Sequence, residues 1–547
     1  MWLPGLFVFL ASASALRDLE PPAPSRVSRN DPVEGWLTVR LNHFKASFND
    51  TFRMGYSLLP HLASASAHRD LEPPAPNRVS RNDPVEGWVT VRLNHFKASF
   101  NDTFRMRYYY NDEFAENNNI VIFVGGEWAI HPAWTQGGLA YELAELTKAA
   151  LFYTEHRYYG DTRPSADTSV EDLRYLTVDQ ALGDLAQFIQ HVKSDAFEGG
   201  RYRNGSVGLV GCSYAGSMAT WMKLGYPHLI DAAFSDSGPL HAQEDFPEYL
   251  EVITEAIRSQ GSEACLTTIE QAVERIVEQL ATTTGPAAIS SLFNTCSTIQ
   301  ATPLDMATFF WFGITETFAY LVQYATPGDI PDACAVLTDS SVDDPVQRLA
   351  NWITSQPWTQ PCIETRYSVI VEQHTNTSYD APQAVMRLWT YQTCVEYGWY
   401  QTTTSNNQPF LDTIPLEYFH QMCRDFFSSY FDEELLASGV WRTNALFAGR
   451  HLPDGVVTVA GGLDPWAPMG PNVTHATEMA PVYVVPTVSH CRAVQSTASS
   501  ETEELARAKR AVLSHMQYYM TGERSSATTT FASLVCLWVV VAGFLLK

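Results

Sequence analysis

The stretch that most restricts what this chain can fold into is residues 206–216, SVGLVGCSYAG. The apolar run 207–210 predicts a short buried strand, residues 211–216 a tight turn, and SMATWMKLGYP from Ser217 a helix. A strand that enters a helix through so short a turn has no room for bulky side chains, so small residues must flank it. This is the layout of a nucleophile elbow, which holds a serine out of the sheet on a strained turn. Here the serine is Ser213. The backbone N–H of Tyr214 then falls at a helix N-terminus, where a free donor and the helix dipole both favour an anionic oxygen. Ala215 stands where the usual pattern has glycine, and Gly216 follows. On these residues alone, a glycine-bearing turn into an ordinary helix stays open.

The flanking sequence alternates strands with helices. WVTVRLNHF and FRMRYYY, from Trp88 onward, predict an antiparallel hairpin, and NIVIFV (119–124) a buried strand ending in Gly125-Gly126-Glu127-Trp128. GLAYELAELTKA reads as a helix, AALFYTEHRYYG as a strand, and LTVDQALGDLAQFIQHVKS as a strongly amphipathic helix before the Ser213 strand. This order implies a parallel sheet whose site lies at the carboxyl ends of its strands. From 241 to 432 the chain turns mainly helical and carries Cys265, Cys296, Cys334, Cys362, Cys394 and Cys423, the pattern of an inserted cap stapled by disulfides. The sheet resumes with VVTVAGG and PVYVVP, followed by the helix ETEELARAKRAVLSHMQYYM.

A serine hydroxyl needs a base to take its proton and a third group to orient that base. On this kind of fold they follow in the order serine, acid, histidine, each from a loop after a later strand. Asp464 follows VVTVAGG and His490 follows PVYVVP. Taken singly, Asp464 could be an Asp-Pro turn residue and His490 a surface histidine. Their order, strand context and type together fit an orienting carboxylate and a general base. His156 precedes the nucleophile and is expected to stabilise the wall of the site. The second oxyanion donor is expected from the glycine-rich loop, at the N–H of Gly126 or Glu127. The Glu127 side chain is left with two readings, a contact to a substrate amine or a pairing with Arg157 or Arg163.

With 45% hydrophobic residues in 547, the chain can bury a large core, and its length suggests two to four domains. A formal charge of −25 excludes a nucleic-acid partner, because no basic stripe is present to neutralise phosphates. Residues 1–15 resemble a signal peptide, with cleavage near Ala13 or Ala15. Sequons at Asn49, Asn101, Asn204, Asn376 and Asn472 support a secretory route, with an extracellular, cell-surface or lysosome-like destination. Eight of the nine cysteines lie in the body, an even number suited to an oxidising lumen.

Residues 10–54 recur as 62–106, differing only at Leu16/His68, Ser25/Asn77 and Leu37/Val89. Such near-identity marks a recent duplication or a faulty gene model, since structural repeats keep only similarity of pattern. The second copy continues into the fold, so it is read as the integrated one. The resulting plan is signal peptide 1–15, duplicated segment 16–61, Pro-rich linker 62–87, core 88–240, helical cap 241–432, core 433–522 and anchor 523–547. The tail, apolar from 531 to 546, is short for a spanning helix and follows small residues, so membrane attachment is expected through a GPI signal ahead of a single span.

The stretches LNHFKASFNDTFRMRYYYND, GGEW, EHRYYG, RYLTVDQALGDLA, GCSYAGSMATWMKLGYPHL, LWTYQTCVEYGWYQT, LDPW and SHC carry a family resemblance. The chain resembles the prolyl carboxypeptidase and dipeptidyl peptidase II family of serine peptidases, and within it looks most like the thymus-specific serine protease branch. The resemblance implies an α/β-hydrolase core with a helical cap, exopeptidase action often after proline, and the roles already read for Ser213, Asp464 and His490. It also implies the pairs Cys265–Cys334, Cys296–Cys362 and Cys394–Cys423. Two departures stand out. Trp128 replaces a glycine common in the family and, with Trp466, is expected to shape the pocket. Cys212 replaces the commoner glycine before the nucleophile, and a bond from it to Cys491 is expected because each neighbours a residue of the triad.

The reading is therefore a secreted or membrane-anchored serine exopeptidase acting on short peptides, without metal or cofactor and with a homodimer open as its assembly. An esterase or lipase on the same fold, and a catalytically silent adhesion protein, are the alternatives.

Overall fold

The computed structural model describes residues 82–523. The signal peptide, the first repeat copy, the sequon at Asn49 and the apolar tail with Cys536 lie outside the described residues. Ten strands are present among those described. They are β1 (Val85–Arg92), β2 (Thr103–Asn111), β3 (Ile120–Val124), β4 (Ala150–Thr154), β5 (Val207–Cys212), β6 (Ala232–Asp236), β7 (Gln243–Asp245), β8 (Gly398–Tyr400), β9 (Val456–Gly461) and β10 (Val482–Val485).

Eight of them form one sheet in the order β1-β2-β4-β3-β5-β6-β9-β10. The first two make the expected antiparallel hairpin, with Val85 opposite Tyr110 and Arg92 opposite Thr103. β2 also runs antiparallel to β4, while every pairing from β4 through β10 is parallel. Every residue of β3, β4, β5, β6 and β9 is buried, as central strands covered on both faces must be. The alternation of strand side chains divides the core. Ile120, Ile122, Val124 and Leu209 join one cluster with Phe188 and Ile189 of the helix Val178–Val192. Val121, Phe123, Val210 and Phe234 join the other, with Val512 and Met516 of the helix Glu503–Thr521.

After β3 the chain moves to one side to form β4, then returns past β3 to form β5 on the other. The loops that leave β3 and β5 therefore diverge and open a crevice at the carboxyl ends of the strands, where open α/β sheets hold their ligands. Gly125 to Trp128 follow β3, and Ser213 follows β5.

Between β6 and β9 the chain is mostly helical, including Glu263–Leu280, Pro345–Thr354, Ala384–Gln392 and Leu416–Phe426. Disulfides join Cys265 to Cys334, Cys296 to Cys362 and Cys394 to Cys423, with Cα separations of 5.4, 5.0 and 5.8 Å. The architecture is an α/β-hydrolase core with an inserted, disulfide-stapled helical cap. Two details differ from the sequence expectation. The parallel pair β7–β8 is new, because three-residue strands are too short to show a period of two. The elbow is also tighter than predicted: β5 continues to Cys212 and the helix begins at Tyr214, so the turn shrinks to Ser213 alone.

Candidate active site

Ser213 has φ 57° and ψ −134°, a positive φ that an L-residue adopts only under constraint, at a cost of about 1–3 kcal/mol. The constraint comes from both sides. Its N–H donates to Asp236 O at 2.9 Å, and its carbonyl accepts from Gly216 N at 2.8 Å and Ser217 N at 3.1 Å. A Cβ on Gly211 would lie 2.2 Å from Ala215 O, and one on Gly216 would lie 2.9 Å from Ser235 Oγ. These are the close approaches for which the elbow needs small residues. Ala215 is accommodated, fully buried in the core.

Asp464 and His490 meet across 26 residues of chain, Asp464 Oδ1 lying 2.9 Å from His490 Nδ1. The same oxygen accepts from Trp466 N at 2.9 Å, which fixes the carboxylate within its own turn. Asp464 is fully buried and His490 nearly so. Burial works against the imidazolium, but the charge and hydrogen bond of Asp464, with the charges of Asp236 and Glu127, together outweigh it and hold His490 above the ordinary histidine range. Ser213, Tyr214 and His490 all line one cavity of about 580 Å³. Cys212 and Cys491 are bonded to each other, with Cα atoms 5.6 Å apart, so the chain segments bearing Ser213 and His490 are covalently tied.

The histidine turn is held by groups that sequence reasoning did not find. Asp236, at the end of β6, accepts from Ala493 N at 2.7 Å and Val494 N at 2.9 Å, and Ser237 Oγ accepts from Cys491 N at 3.0 Å. From the cap, Gln323 O accepts from His490 N at 3.2 Å, and Val322 O accepts from Ser489 Oγ at 2.6 Å. Behind the nucleophile, Tyr214 Oη lies 3.1 Å from His156 Nε2 and accepts from Gln392 Nε2 at 3.1 Å. Gln392 Oε1 accepts from Tyr159 at 2.7 Å. His156 does not itself line the cavity but backs Tyr214, and burial pushes it down to about 4, so its ring stays neutral. Gln323 and Gln392 come from the cap, more than a hundred residues from any core residue they touch, and no local pattern announces such contacts.

The glycine-rich loop contributes Glu127 and Trp128 to the cavity. Gly126 packs against Trp128, whose ring would lie 2.6 Å from a Cβ placed there. Trp128 Nε1 donates to Tyr153 at 2.7 Å, and Trp466 Nε1 donates to Gln323 Oε1 at 3.0 Å. Both rings line the cavity. The expected alternative of a Glu127 pair with Arg157 or Arg163 is corrected. Arg157 is bound in bidentate fashion by Asp184 at 2.6 and 2.7 Å, and Arg163 pairs with Asp380 at 2.9 Å. Glu127 is buried, and its Oε2 has no hydrogen-bond partner among the described residues.

Asn101, Asn204, Asn376 and Asn472 are all exposed, so each sequon is open to a glycan. The grouping of Cys212, His490 and Cys491 has the donor types of a metal site, but both sulfurs are spent in the disulfide.

The family model for serine carboxypeptidase S28 matches residues 91–512. The chain is 28% identical to the thymus-specific serine protease of Mus musculus over 467 residues, which is 81% of this chain and 89% of that protein. It is 30% identical to the lysosomal Pro-X carboxypeptidase of Homo sapiens over 254 residues, 45% of this chain and 50% of that protein.

Proposed function

The chain belongs to the serine carboxypeptidase S28 family and is a serine peptidase of the exopeptidase kind, and on that premise we propose how its own residues carry the reaction. Ser213 Oγ attacks the scissile carbonyl while His490 takes its proton. Asp464 keeps that proton-accepting nitrogen free by holding the opposite ring nitrogen, and stabilises the imidazolium that forms. The tetrahedral oxyanion is received by the N–H of Tyr214 and by the Gly126–Glu127 backbone. Collapse of the intermediate returns the proton from His490 to the leaving amine and leaves an acyl group on Ser213. Water, activated by the same histidine, then releases it.

The observation that carries this reading is the joining of the elbow to the histidine turn along one cavity, lined by Ser213 and by His490, which the buried Asp464 holds from behind. The cap roofs that cavity through Tyr320, Trp352 and Trp389, which favours chain ends and short peptides over folded proteins. Action after proline is carried over from the relatives, and Trp128 and Trp466 would shape the pocket for the residue before the scissile bond. We place the protein in the secretory pathway with glycans on the four exposed sequons. Attachment to a membrane through residues 523–547 and a homodimer complete the proposal; among the described residues no helix is long and apolar enough to cross a membrane.

The test is labelling by a fluorophosphonate together with cleavage of a short-peptide library at pH 5 and pH 7. Labelling and cleavage by the wild type, both lost in Ser213→Ala, are expected. Hydrolysis of a short-chain ester without cleavage of any peptide would overturn the peptidase reading and favour the esterase.

A further inference from the structure

Glu127 is a carboxyl that no arginine or lysine pairs with among the described residues; the one cationic charge acting on it is that of His490 when protonated. It is 5% exposed, its Oε2 has no hydrogen-bond partner among the described residues, and Arg107, Arg157 and Arg163 are committed to Glu155 and Asp161, to Asp184 and to Asp380. A buried carboxyl with an unused oxygen is costly unless it is protonated or meets a cation. Burial accordingly pushes it up to about 8. Yet it faces neither the hydrophobic core nor bulk water. It lines the 580 Å³ cavity together with Ser213, Tyr214 and His490, in the first turn of chain after β3.

We propose that Glu127 receives a primary ammonium of the substrate, so that this site selects peptides by a positive charge close to the reacting carbonyl. The inference rests on the serine-peptidase reading above. Two further observations favour a cation over a carboxylate in the cavity. The ionisable residues that line it include three carboxyls, Glu127, Asp329 and Asp332, against one arginine, Arg492, and the general base His490, whose charge is lost when it acts as a base. A peptide also carries such a cation close to the reacting carbonyl: each residue spans at most about 3.3–3.6 Å, so an amino terminus one or two residues before the scissile bond stays within about 7 Å of it. On binding, the ammonium supplies the hydrogen bonds and charge that Glu127 lacks in the empty cavity. The α-ammonium of a free amino terminus and the side chain of a lysine share this chemistry. A preference for the first makes the enzyme an amino-terminal exopeptidase.

The experiment uses peptides of one sequence with a free or an acetylated amino terminus, and a third acetylated peptide carrying lysine near the scissile bond. Wild-type enzyme is expected to show a kcat/KM at least about 100-fold higher for the free amine, because a site built for a polar partner rejects the analogue that leaves it unpaired. In Glu127→Gln the ratio of free to acetylated falls toward one. Recovery of the advantage by the lysine peptide supports the same site with a side chain as the source of the cation. A wild-type ratio near one, or a ratio undiminished in Glu127→Gln, overturns the inference. A second measurement needs no variant: a dipeptide amide should protect wild-type Ser213 from fluorophosphonate, and its acetylated form should not. Labelling without such protection overturns the Glu127 site alone. No labelling at all overturns the serine-peptidase reading, and this inference with it.

Discussion

Cys212 and Cys491 are bonded across the active site, one directly before Ser213 and the other directly after His490, although 279 residues of chain separate them. The bond ties the end of β5 to the turn after β10, the two segments whose relative position a nucleophile and its base require. The double variant Cys212→Ser/Cys491→Ser should lose about 2–5 kcal/mol of stability, the usual effect of deleting a disulfide that closes a long loop. Its kcat should fall more than its KM rises, because alignment of Ser213 with His490 is lost before substrate binding is. Thermal unfolding and steady-state kinetics read the two effects, and non-reducing peptide mapping checks the pairing. A variant with unchanged kcat would show that Asp236, Ser237 and the cap hold the histidine turn unaided.

Asp464 holds His490 above its ordinary range, so protonation disables the base at a pH above 6.5. The acid limb of kcat/KM should therefore lie above 6.5. In Asp464→Asn it should move down, with kcat reduced about 10⁴-fold, as expected when the imidazole loses the partner that fixes its tautomer. Asp236 also raises His490 by its charge, and Asp236→Asn keeps an acceptor for Ala493 and Val494. That variant should shift the acid limb downward with a far smaller loss of kcat. A pH profile of each variant separates the roles of the two carboxylates.

Stability should fall as pH rises from about 6.5 to 8. Burial pushes Glu127 and Glu396 up to about 8, so between their ordinary values and pH 8 the folded chain binds more protons than the unfolded one. Their contribution is fully present at low pH and is lost as pH rises through 8, at about 2 kcal/mol per carboxyl over this interval. His490, also raised, acts in the same direction. His156 and His374 are pushed down to about 4 by burial, so they favour the folded state only as pH rises from about 4 to 6.5 and oppose the carboxyls there alone. Melting temperatures across pH 5 to 8 check the sign, and Glu396→Gln should flatten the fall above 6.5.

Gly211→Ala should destroy the elbow. The added Cβ would stand 2.2 Å from the carbonyl oxygen of Ala215, which is backbone of the following helix and cannot move without displacing Ser213. Loss of fluorophosphonate labelling and a melting point lower by several degrees are expected. Gly225→Ala, in the same helix with nothing within 4 Å of its new Cβ, should leave both unchanged.

Read along the chain, the sequence determined the elbow, the alternation of strands and helices, and the serine, acid and histidine order. Each of these is a local pattern: apolar periodicity, small residues at a tight turn, and a polar residue just beyond a buried strand. Even so, it placed the helix start at Ser217 rather than Tyr214, because the single strained residue between strand and helix leaves no mark in hydrophobic periodicity. What only the tertiary structure decided was partnership. Nothing near Glu127 in the chain says that Arg157 is taken by Asp184 and Arg163 by Asp380, leaving Glu127 without an arginine. Nor does the sequence around Gln323 and Gln392 say that these cap residues brace the histidine turn and Tyr214, since such contacts arise only when the long helical insert folds back on the sheet. Local sequence fixes which atoms can do chemistry, and the long-range packing of the cap on the core fixes which of them are left free to do it.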